Sequence, residues 1–92
     1  MKKQNSYSPI LRKCADIADE RGQFYGDADE NFARIEKILF EMFDLKLTKK
    51  EIAMVFVATK FSRQRERHKD DNFLDAINYL AMILHFNKNE KK

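Results

Sequence analysis

Two glycines, one proline and one cysteine are all that 92 residues contain of the three residue types that most constrain a backbone. Sheets need a turn residue every few positions, so this scarcity excludes a many-stranded fold and points to long helices with short connections. A single cysteine, Cys14, excludes an internal disulfide framework and fits a reducing, cytoplasmic setting. Long apolar runs are also missing. Nothing approaches the roughly 18 consecutive apolar residues of a membrane span, and the opening Met1-Lys2-Lys3-Gln4-Asn5-Ser6 is not a signal peptide, so no membrane partner is expected. A basic face is lacking as well. The formal charge of +3 comes from the ends, because Lys2, Lys3, Lys88, Lys91 and Lys92 against Glu90 leave +4 and the remainder sums to −1. Only the stretch from Lys60 to Lys69 is cationic, which disfavours nucleic acid as a ligand.

What is present is apolar content. Hydrophobic residues make up 43% of the chain and include eight phenylalanines, enough for a folded domain. The length fits a single domain over residues 1–92, with an ordered core over about 8–87 and frayed basic tails at 1–7 and 88–92. So short a chain buries only about 60–65% of its unfolded surface, which makes a partner subunit useful.

The spacing predicts an all-α fold of about four helices, at 9–21, 28–44, 49–67 and 71–87. Ser8 suits the N-cap of the first, with Pro9 at the first helical position. Ile10, Cys14 and Ile17 follow at helical spacing, with Arg21 one turn on, and Cys14 reads as a small core residue. Gly22 and Gly26 bracket a turn or a frayed last turn, with Gly26 free to adopt positive φ. Asp27 or Asp29 caps the second helix, whose Phe32, Ile35, Leu39, Met42 and Phe43 make one face. Thr48-Lys49-Lys50-Glu51 is a capping box. It opens a third helix whose first half, Ile52 to Ala58, is apolar all round and is expected to be central. Asp70 or Asp71 caps the fourth, where Phe73, Ile77, Leu80 and Leu84 form a stripe that Leu74, Ala81, Met82 and Ile83 widen. So apolar a terminal helix is expected to self-associate, with Met82, Ile83 and Phe86 between subunits.

Two polar constellations stand out. If the third and fourth helices fold back antiparallel around His68, positions equally far from the turn come level. Lys60 then lies near Asp75, and Arg63 near Asp71 and Asn72, with Asn78 and Tyr79 alongside. Such a patch grips a phosphorylated ligand, holds a metal, or simply ties two helices together by salt bridges worth little when exposed. The second is Arg21-Gly22-Gln23-Phe24-Tyr25-Gly26 followed by Asn31-Phe32. An arginine beside a glycine-flanked aromatic can contact a phosphate and stack a base. In the plainer reading, Tyr25 plugs the first helix onto the second and Arg21 pairs with Asp27 or Glu30.

The run Arg21…Tyr25-Gly26…Asn31-Phe32-Ala33-Arg34-Ile35, then Lys60…Arg63, then Asp71-Asn72…Asp75…Tyr79 resembles a family of short phage and prophage proteins of uncharacterised function. The resemblance covers roughly residues 10–84. Asn78 departs from it, standing where those relatives tend to have glycine. A more distant similarity is to the MazG-type all-α nucleoside triphosphate pyrophosphohydrolases, which hold magnesium with paired acidic motifs. It implies Asp71 with Asp75 as one acidic pair, and Asp16 with Asp19 or Glu20 as a second. Neither matches that family's spacing, and Lys60 and Arg63 neutralise the first pair.

These readings converge on a cytoplasmic, self-associating protein that binds a nucleotide-like phosphorylated ligand without a cofactor and without turning it over. In a phage setting it would sequester a host immune nucleotide signal. The ligand-binding candidates are Arg21, Tyr25, Gly26, Asn31, Lys60, Arg63, Asp71, Asn72, Asp75 and Tyr79. The alternatives are a Mg-dependent pyrophosphohydrolase using Asp71 and Asp75, and a non-catalytic module whose apolar fourth helix docks on another protein. His68 and His85 have no second ligand at metal spacing, so zinc is not expected.

Overall fold

The computed structural model describes residues 5–89, without the side chains of Phe24, Tyr25 and Asn89. Of the tails expected at 1–7 and 88–92, residues 1–4 and 90–92 lie outside the described residues, and 88 and 89 form the end of the last helix. Four helices follow one another: α1 (Ser8–Tyr25), α2 (Ala28–Phe43), α3 (Lys49–Glu66) and α4 (Asp70–Asn89). Among the described residues there is no strand, so the all-α expectation holds.

The helix ends follow local chemistry. Tyr7, not Ser8, flanks α1, and its carbonyl accepts from the amides of Ile10 and Leu11 at 3.0 and 3.3 Å. Gly22 does not stop the helix as the expected boundary at 21 required. A helical glycine costs only about 0.5–1 kcal/mol, so the chain stays helical until Gly26, whose φ of 83° ends it. At the end of α2, Asp44 takes a left-handed φ of 55°, while the Leu45 amide reaches back to the Leu39 carbonyl at 3.4 Å. The Asp44 amide donates to the Phe40 carbonyl at 2.9 Å, the single bond that defines an αL stop. The capping box of α3 forms: the Glu51 amide donates to Thr48 Oγ1 at 3.2 Å, and the Thr48 amide to Glu51 Oε1 at 2.9 Å.

The centre of the molecule is the antiparallel α3–α4 hairpin. Residues equidistant from its turn lie level: Phe56 with Tyr79, ring centroids 5.2 Å apart, Lys60 with Asp75, and Gln64 with Asn72. Phe32 of α2 closes the core against Phe56 and Phe86, at 5.7 and 5.1 Å between centroids, with Ile52 and Ala53 buried beneath. α1 crosses α4, where the buried Cys14 donates its thiol hydrogen to the Leu74 carbonyl at 3.9 Å.

Much of the apolar surface stays uncovered. Met82, Ile83 and Phe86 pack inside the chain, so they are not the surface through which α4 would meet another subunit. Phe73, Leu80 and Leu84 are the large apolar residues of α4 left in the open. Met54 and Val55 of α3 are exposed too, as are Met42 and Phe43 of α2. The reason is coverage: four helices of this length give an all-apolar stretch neighbours on one side only.

Candidate functional site

The site is built on the α3–α4 hairpin where the apolar core gives way to charge. Asp75 is only 8% exposed, and both of its oxygens are taken by cations. Lys60 Nζ lies 2.8 Å from Oδ2, and Arg21 Nη2 reaches Oδ1 at 3.3 Å from the last turns of α1. Lys60 is itself largely buried, whereas Arg21 is half open to solvent. A carboxylate here avoids the cost of an unpaired buried charge only because of these partners. Arg21 therefore crosses to α4 instead of pairing with Asp27 or Glu30.

Below this knot a second polar junction closes the turn. Gln64 Oε1 accepts from the Lys69 amide at 3.1 Å and from Asn72 Nδ2 at 3.0 Å, and its amide nitrogen meets His68 Nδ1. His68 also faces Asp70 at 3.2 Å. Arg63 does not take the place expected for it beside Asp71 and Asn72. It is level with them along the axis but turned to one side, because the residue one full turn after Lys60 on the same face is Gln64. Asp71 is exposed and has no ion pair among the described residues.

Arg63 lines a cleft instead. With Phe56, Thr59, Lys60 and Tyr79 it lines an open recess of about 230 Å³ on the side of the hairpin. The Thr59 hydroxyl is turned inward to the Val55 carbonyl at 2.9 Å. The Arg63 guanidinium and the Tyr79 hydroxyl have no hydrogen bond or ion pair among the described residues. Two cations line the cleft; Lys60 is paired with Asp75 and Arg63 is not, which leaves one uncompensated positive charge beside two aromatic rings. That combination can hold a phosphate on the arginine and present a ring face to a base or sugar.

The remaining candidates divide. Asn72 is buried in the Gln64 junction, and Asn78 is half-buried near Asp75 in α4. Gly26 forms the end of α1. Asn31 sits in the first turn of α2, its backbone amide bonded to the Asp27 carbonyl at 3.0 Å, and is not part of the cleft. The Tyr25 side chain lies outside the described residues. Gln64, Phe56 and Thr59 are not among the candidate binding residues read from the sequence, although counting four on from Lys60 and four back from Lys60 and Arg63 along one helix finds all three.

The donors do not suit magnesium, which takes carboxylate oxygens free of competing cations. Both Asp75 oxygens are engaged by Lys60 and Arg21, Asp71 stands apart in solvent, and Asp16, Asp19 and Glu20 are exposed along α1. Among the described residues no three His, Cys, Asp or Glu side chains gather as a cation would require.

At the far end of the molecule His85 Nε2 lies 2.7 Å from Asp29 Oδ2, and Lys49 Nζ lies 3.8 Å from Oδ1. The His85 hydrogen bond, then the charges of His85 and Lys49, hold the Asp29 carboxyl below its ordinary value despite some desolvation. This cluster pins the start of α2 to both hairpin helices. No helix among the described residues is long and apolar enough to cross a membrane.

No curated protein and no solved structure matches the chain. One family model does, over residues 9–87, which takes in all four helices and both polar junctions. The chain belongs to that family, DUF6378, described as a domain of unknown function.

Proposed function

We propose that the cleft between Phe56, Arg63 and Tyr79 binds a nucleotide-like phosphorylated small molecule and does not turn it over. The observation that carries this reading is the Arg63 guanidinium, unpaired among the described residues, in a cleft whose lining holds no carboxylate. A phosphate accepts bidentate hydrogen bonds from arginine and neutralises its charge. At about 230 Å³ the cleft is smaller than the roughly 300–1,000 Å³ of sites that engulf a drug-sized ligand. The ligand therefore enters phosphate first, with its base or sugar against the Tyr79 ring and the rest in the open. Asp75 acts as a positioning residue, holding Lys60 and Arg21 toward the cleft.

In this reading the protein is a cytoplasmic homo-oligomer of phage type, and its role is to sequester a nucleotide immune signal made by the host. Catalysis in the manner of MazG-type enzymes is the weaker reading, because Asp75 is spent on two cations and Asp71 stands exposed without joining it. The test is a thermal-shift screen of the purified protein against mononucleotides and cyclic oligonucleotides, with and without Mg²⁺. A ligand at 100 times its dissociation constant adds about 2.7 kcal/mol of stability. Binding that needs Mg²⁺ and yields pyrophosphate would favour the enzyme.

A further inference from the structure

The α3–α4 hairpin is clothed on one side only. α1 meets α4 through Leu74 and Asp75, and α2 meets the hairpin through Phe56, His85 and Phe86. At about 100° per residue, a different set of positions faces the other way. On α3 these are Met54, Val57, Ala58 and Phe61. On α4 they are Phe73, Ile77, Leu80, Ala81 and Leu84. Val57 and Ile77 are half-buried, and the rest are exposed, Met54 by 56% and Leu84 by 72%. Neither stripe contains an ionisable residue, and the two lie side by side along the hairpin.

We infer that this bare side of the hairpin is the contact face of a twofold homodimer, in which α3 and α4 of two copies form the central layer. Surface area argues for an occupant. The chain exposes 7589 Å², whereas a compact monomer of 11.0 kDa is expected to expose about 5,600 Å². The excess, about 2,000 Å², is shared with bare apolar residues of α1 and α2 such as Leu11, Met42 and Phe43, and is more than twice the ~800 Å² per partner that a standard stable interface removes. Charge argues for the identity of the occupant. A twofold axis lays an uncharged apolar patch on itself, with no like charges opposed and no buried charge unmatched. The cleft lies on the opposite flank of α3, because Thr59 and Arg63 are more than a quarter turn from Met54 and Phe61. Each dimer therefore presents two open clefts.

Light scattering of the native chain at tens of micromolar should give twice the 11.0 kDa of one chain. Leu80→Glu and Leu84→Glu should halve that mass while keeping the helical circular dichroism. A monomeric native mass overturns the proposal, as does a folded Leu84→Glu variant that remains dimeric. Because a charge at either position can also disturb folding, the native chain provides a second measurement. Met54 and Met42 are exposed to similar extents in the single chain, by 56% and 66%, but only Met54 lies in the face. At high concentration peroxide should oxidise Met54 several-fold more slowly than Met42, and the difference should vanish on dilution. Equal rates at every concentration overturn the proposal, even if the native mass is that of a dimer, because the contact must then lie elsewhere.

Discussion

Lys60 and Asp75 meet at 2.8 Å across the α3–α4 hairpin, both of them largely out of water, and they fix the register that brings Tyr79 opposite Phe56. A pair in this setting is costly to break and cheap to replace. Asp75→Ala leaves Lys60 buried without its counter-ion and should cost about 3–5 kcal/mol by urea denaturation. The double replacement of Lys60 by Met and Asp75 by Leu should recover most of that loss. A loss below 1 kcal/mol for Asp75→Ala would mean that Lys60 escapes to solvent and that the pair does not set the register.

Gln64 serves three partners from one side chain: the Lys69 amide, the Asn72 amide group and His68. Gln64→Ala should destabilise by about 1–3 kcal/mol, since Asn72 is buried and left without its acceptor. Hydrogen exchange adds a local readout, because the Lys69 amide should lose protection before the middle of α3 does.

The two glycines should respond in opposite directions. Gly22 is inside α1 with nothing within 4 Å of an added Cβ, so Gly22→Ala should stabilise by about 0.5–1 kcal/mol. Gly26 holds a φ of 83°, which an alanine adopts only under strain. Thermal melts of the two variants should shift to either side of the native value.

Acid should expose the Asp29 cluster. The folded carboxyl lies below the ordinary aspartate value, held there first by the His85 hydrogen bond and then by the charges of His85 and Lys49. A depressed carboxylate adds stability that is fully present above the unfolded value and is lost as pH falls through the folded one. The native chain should therefore lose stability more steeply below about pH 4 than Asp29→Asn does. Urea midpoints measured from neutral pH downward check this, and identical slopes for the two proteins would count against it.

The four helices were legible because their signals are local. The Thr48–Glu51 box, Pro9, Gly26 and the run of apolar periods each act within a turn or two. Lys60 opposite Asp75 was legible as well, because an antiparallel hairpin makes level positions countable. Arg63 beside Asp71 was not, since level says nothing of azimuth: the seam passes from Lys60 to Gln64 and leaves Arg63 facing the side. Which apolar residues of α4 stay bare was equally hidden. Periodicity marks Met82, Phe86, Leu80 and Leu84 alike, and only the placement of α1 and α2 separates the covered pair from the open one.

The central claim is that Arg63 grips a phosphate in the cleft it shares with Tyr79. Calorimetric titration of native protein, Arg63→Ala and Arg65→Ala with the best ligand from the nucleotide screen tests it most directly. Arg65 serves as the control, being an exposed cation of the same helix that does not line the cleft. Loss of a charged hydrogen bond should weaken binding to Arg63→Ala by about 1.5–3 kcal/mol, while Arg65→Ala binds as the native protein does. If no nucleotide binds the native chain, or Arg63→Ala binds as tightly as native, the cleft is not a phosphate site and its charges serve only to tie the helices together.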